Sequence, residues 1–112
     1  MASSLSNKQK KALAEQLFMT GMSQKEIAAY VGSAEHTVGK WARDAKWKEL
    51  RDIESVSTPK LISNAHAAIN LIYETAKEEN RALKPAESDM IHKQSATIKN
   101  LQKELNVQVV TM

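Results

Sequence analysis

Ser23, Glu26 and Gly32 confine the segment between them to one short helix. Ser23 followed three residues later by Glu26 is a capping-box pattern, and Met22 just outside the cap is placed to pack on Ile27 as a hydrophobic staple. Gly32 supplies the left-handed conformation that a tight turn between crossed helices needs. With a further helix beginning directly after it, this spacing predicts a helix-turn-helix. Ala28, four residues before the glycine, lets the two helices approach, and Ile27, Val31, Val38 and Trp41 supply the apolar contacts.

The remaining punctuation predicts an all-α chain of five helices. Ser6 and Gln9 start the first, which runs to about Met19 on Leu13, Ala14, Leu17 and Phe18, and Thr20-Gly21 ends it. The third runs from about Ala34 to Ala45, with Ala34, Val38, Trp41, Ala42 and Ala45 on one face. Residues 51 to 57 carry few large apolar side chains and read as a linker or a frayed helix end. Thr58 caps the fourth helix with Pro59 at its first position, and that helix continues to about Asn80. Pro85 restarts helix after a short connection, with Glu87 and Asp89 in the first turn, and this last helix continues to about Leu105. The β-branched tail, Val107 to Thr111, suits a short C-terminal strand that has nothing obvious to pair with. The expected organisation is a DNA-binding domain over 1–50, a linker over 51–57, an antiparallel helical hairpin over 58–105 and a tail over 106–112.

Composition narrows the function. The chain has 112 residues, no cysteine and a formal charge of +3. Disulfide frameworks and thiolate metal sites are therefore excluded. No apolar run of about 18 residues suits a membrane span and no secretory leader is present, so a soluble cytoplasmic protein with no membrane partner is expected. Residues 1–51 hold 9 Lys and Arg against 5 acids, whereas residues 52–112 hold 7 against 8. A polyanion should therefore meet the first half. Phe18, Tyr30, Trp41 and Trp47 also lie there, leaving Tyr73 alone in the second half. Packing is the expected role of both Trp41 and Trp47.

On the third helix the face opposite the core carries His36, Gly39, Lys40 and Arg43. Lys and Arg neutralise phosphate or donate to guanine edges, His36 and Thr37 hydrogen-bond bases or phosphates, and Gly39 allows close backbone approach to a major groove. Arg43 and Lys46, with Lys8, Lys10 and Lys11 of the first helix, are expected on phosphates. A solvated basic face on a helical bundle is the plainer alternative.

In the second half Leu61, Ile62, Ala65, Ala68, Ile69, Ile72, Tyr73 and Ala76 form a stripe broader than the one formed by Met90, Ile91, Ile98, Leu101 and Leu105. A hairpin of the two leaves apolar surface uncovered, which predicts homo-oligomerisation through Leu61, Ile62, Ile69, Leu71, Ile72, Ile91, Ile98 and Leu101. The alternative is a compact monomer in which the stripe packs on the first half. The linker composition and scarcity of aromatics in the second half favour separate cores.

The stretch from Lys10 to Trp47, KKALAEQLFMTGMSQKEIAAYVGSAEHTVGKWARDAKW, resembles the N-terminal segment of small terminase subunits from tailed phages and prophages. That resemblance implies a helix-turn-helix ahead of an oligomerising hairpin, and non-enzymatic recognition of viral double-stranded DNA in the host cytoplasm. It further implies a ring of eight or more copies and regulation of a large subunit that holds the ATPase and nuclease. Such segments place an apolar residue and then Ser after the turn glycine. Here Ser33 and Ala34 stand instead, which moves or removes the cap of the recognition helix.

Catalytic signatures are lacking. Gly39-Lys40 is followed by Trp41 where a Walker loop needs Ser or Thr, and His36, His66 and His92 form no metal-binding pair. No cofactor is expected. A dimeric helix-turn-helix transcriptional regulator is the runner-up, and a helical scaffold whose basic head binds protein is a third possibility.

Overall fold

The computed structural model describes residues 6–54 and 57–110. Six helices follow in order: α1 (Asn7–Met19), α2 (Gln24–Val31), α3 (Glu35–Asp44), α4 (Trp47–Glu54), α5 (Thr58–Glu78) and α6 (Pro85–Val110). The described residues contain no strand, and the all-α class holds.

Local sequence signals account for most of the helix starts. Both capping boxes close: Ser6 Oγ accepts from Gln9 N while Gln9 Oε1 accepts from Ser6 N, and Ser23 and Glu26 do the same for α2. Gly32 ends α2 at φ 75°. Ala34, the N-cap of α3, makes no side-chain cap bond, the consequence expected of Ser33-Ala34. Ser57, one residue earlier than expected, caps α5 by accepting from Lys60 N, which leaves Pro59 in the first turn.

Two expectations about the elements fail. Arg51 to Glu54 are helical, not linker, because the chain turns at Lys46 (φ 55°) and starts α4 at Trp47; Ser55 and Val56 lie outside the described residues. The tail forms no strand over Val107 to Val110, since α6 continues to Val110. Adding a residue to an existing helix needs no partner, whereas a strand does. Thr111 lies outside the described residues.

The core is shared between the two halves. Leu13, Ala14, Leu17 and Phe18 of α1 join Ile27, Val31, Val38 and Trp47 in one cluster that also takes in Ala68, Ile72 and Met90. α1 packs against α2, α3, α4 and α5, and α5 packs against α6. Ala65 and Ala68, both fully buried, leave room for this close helix packing. The separate cores expected from composition give way to this arrangement because small side chains, with little apolar area of their own, mark the contact.

The buried face of α5 is rotated from its most hydrophobic arc. Asn64 and Thr75 are buried while Tyr73 is 50% exposed. Both side chains are hydrogen-bonded: Asn64 Nδ2 donates to Glu54 Oε1 at 2.9 Å and Thr75 Oγ1 donates to the Leu71 carbonyl, while the backbone carbonyl of Asn64 accepts from Gln16 Nε2. On α3, Val38, Gly39 and Ala42 face inward, Trp41 is half-buried, and Ala34 and Ala45 are exposed.

This packing also redistributes the residues expected between copies. Ile72 and Ile98 are buried in the chain's own fold, and Leu71 and Ile91 pack against its core. Leu61, Ile62, Ile69 and Leu101 stay half-buried.

Polar ties fix the hairpin to the first half. Lys93 Nζ meets Glu26 Oε2 at 2.8 Å, Gln9 Nε2 donates to Glu78, and the buried amide of Gln94 donates to Thr20 Oγ1 at 3.2 Å. At the hairpin bend, Arg81 grips Glu87 through both terminal nitrogens at 2.8 and 2.9 Å and also pairs with Glu79.

Candidate nucleic-acid interface

α3 projects as a ridge with one depression on either flank. Its outward residues His36, Lys40 and Arg43 are exposed, and Thr37 is half-buried. On one flank, Thr37 and Trp41, one turn apart, face Asn7, Lys8 and Lys11 of α1 across an open groove of about 550 Å³ that Ser33 and Ala34 also line. Lys10 Nζ donates to the Gly32 carbonyl at 3.4 Å and ties α1 to the turn before α3. The folding that places Leu13 and Leu17 inward thus brings Lys8 and Lys11 beside α3.

Ala34, with no side-chain acceptor for the first N–H groups of α3, lines this groove. The partial positive charge of a helix start therefore adds to that of the two lysines. On the opposite flank a cavity of about 380 Å³ lies among α2, α3 and α4, with Arg43, Lys48 and Arg51 in its wall against one carboxylate, Glu49. The Arg51 guanidinium stacks 4.2 Å over the Phe18 ring, which holds it half-buried.

One expected contact residue has another place. Gly39 is buried on α3, and a Cβ there would meet Gln24 Oε1 at 3.1 Å. Its missing side chain makes room for α2, not for a groove edge. Lys46 is exposed, in the left-handed turn between α3 and α4. Sequence reasoning overlooked Lys48 and Arg51, because Lys48 follows the expected end of the third helix at Ala45 and Arg51 opens the stretch read as linker. It also overlooked the open edge of Trp41, whose spacing of four residues from Thr37 was the available signal.

Residues 9–60, just under half of the chain, match the family described as putative ATPase subunit of terminase (gpP-like). This segment is similar to that terminase family. The segment contains α1 from Gln9 onward, all of α2 to α4 and the first residues of α5, and so holds both flanks of the α3 ridge apart from Asn7 and Lys8. No curated protein and no solved structure matches the chain. Within the matched segment, Gly39-Lys40 lies in the middle of a helix, a geometry in which the backbone N–H groups are engaged and cannot cradle phosphate. Among the described residues no helix is long and apolar enough to cross a membrane, and no group of three or more His, Cys, Asp or Glu side chains is placed to hold a metal.

Proposed function

We propose that the chain is the small subunit of a phage terminase, a non-enzymatic protein that recognises viral double-stranded DNA in the host cytoplasm and regulates a separate large packaging subunit. The observation that carries this reading is the groove joining Lys8 and Lys11 of α1 to Thr37 of α3 beside exposed His36 and Lys40. α2, Gly32 and α3 then act as a helix-turn-helix, with α3 entering the major groove while the lysines meet phosphate. The ATPase activity in the family description is assigned to the large subunit.

Self-association into a ring of eight or more copies completes the proposal. Ile62, Ile69 and Tyr73 follow one another along the outer edge of α5, the first two half-buried and the third exposed, and Leu50 and Ile53 are exposed on α4. Several heads on one scaffold gain affinity that a single head making few phosphate contacts lacks at physiological salt.

Native mass spectrometry and duplex titration at several salt concentrations test both parts. The expected results are a particle of eight or more copies and an affinity that falls steeply as salt rises. The double substitution Lys40→Ala with Arg43→Ala should weaken binding and leave particle mass unchanged. A strict dimer that binds duplex would mark a transcriptional regulator instead, and a chain that binds no duplex even at low salt would leave only the scaffold role.

A further inference from the structure

Two basic depressions bracket one exposed helix. Arg43 lies on the flank of α3 opposite Thr37 and Trp41, so the cavity with Lys48 and Arg51 and the groove with Lys8 and Lys11 are separated by the width of α3. A helix with its side chains is about 10–12 Å across, and the major groove of B-form DNA is about 12 Å wide between its phosphate rims. When such a helix fills that groove, its two flanks face the two strands.

We propose that α4 is a second backbone-binding element, which holds the phosphate strand across the groove from the one met by Lys8 and Lys11. This rests on the duplex-binding role of α3 given above. Lys48 is the leading contact, since it is exposed and lines the cavity. Arg43 reaches the same cavity from the α3 ridge. Arg51 is anchored over Phe18, so its guanidinium is held in place before any ligand arrives, and a group already ordered loses less freedom on binding. Three cations against the single carboxylate of Glu49 give this wall the sign a phosphate strand requires. The occupant is the sugar-phosphate backbone, and the contact is blind to base sequence.

The test uses the full chain with Lys48→Gln, Lys48→Arg, Lys11→Gln and Lys40→Ala, each titrated with two duplexes of unrelated sequence between low and moderate salt. Losing one phosphate contact lowers the salt slope by about 0.9 and weakens binding roughly five- to tenfold near 0.1 M salt. Lys48→Gln should show that loss equally on both duplexes, Lys48→Arg should retain wild-type binding, and melting temperatures should be unchanged because Lys48 is exposed. If Lys48→Gln binds like wild type while Lys40→Ala or Lys11→Gln weakens binding, α4 is not a backbone contact and α3 keeps its role. If the wild-type chain binds neither duplex at low salt, both proposals fall together.

Discussion

The indole ring of Trp47 lies 5.7 Å from the ring of Phe18 at an interplanar angle of 50°. Trp47 is fully buried, so the first residue of α4 is driven into the core beneath α1. Trp47→Ala should cost about 3–5 kcal/mol, the range for deleting a large aromatic from a core. Trp47→Phe should cost clearly less, because the indole Nε1 has no hydrogen-bond partner among the described residues. Urea denaturation of the two variants checks the order, and equal midpoints would refute it.

Lys46 occupies the left-handed region at φ 55° and Gly32 does so at 75°. A side chain in that conformation costs about 1–2 kcal/mol. Lys46→Gly should therefore raise stability by about 1 kcal/mol. Gly32→Ala should lower it by a similar amount, through the backbone alone, since a Cβ there meets nothing within 4 Å. Thermal melting of both variants should move in opposite directions.

Ala34 leaves α3 without a side-chain cap. Ala34→Ser should stabilise the fold by about 1 kcal/mol. Ala34→Asp should cap equally well but place a carboxylate in the groove beside Lys8 and Lys11, and so weaken duplex binding. Measuring melting and DNA affinity on the same pair separates the two effects.

Glu87 is buried at the hairpin bend, and its two bonds from Arg81 hold its carboxyl below the ordinary value of 4.5. A depressed folded pKa means that the unfolded chain takes up the proton first as pH falls. The contribution is complete above about pH 4.5, declines below it and is gone once the folded carboxyl is protonated. Glu87→Gln should flatten this part of the acid unfolding curve, which circular dichroism between pH 6 and pH 2 can follow.

Ile72 is 1% exposed, whereas Ile69 on the next face of α5 is half-buried. Ile72→Ala should cost about 2–5 kcal/mol of stability. Ile69→Glu should leave the monomer folded and reduce particle mass. Light scattering and denaturation reverse the interpretation of this face if Ile69→Glu unfolds the chain without changing its assembly.

The parts of the fold written in local chemistry were legible. Two capping boxes, one turn glycine and the narrow stripe of α6 are signals within a few residues, and each appears where its spacing placed it. α4 was hidden because its preceding turn uses Lys46, and a non-glycine residue in the left-handed region leaves no mark in a sequence. The docking of α5 on α1 was hidden for another reason. Ala65 and Ala68 mark close approach without naming a neighbour, and Asn64 and Thr75 occupy buried positions that a hydrophobic pattern assigns to solvent. For the candidate site, exposure of His36, Lys40 and Arg43 was readable from helical period, whereas the neighbours of α3 depend on how α1 and α4 cross it.

The family resemblance stops within the first turn of α5, at residue 60, yet Ala68, Ile72 and Met90 belong to the same cluster as Leu13 and Leu17. The front segment is accordingly no portable cassette. A fragment cut after Glu54 would bare an oily flank along α1, and a chimaera that grafts these residues onto a foreign stalk must bring α5 with them or supply a substitute wall.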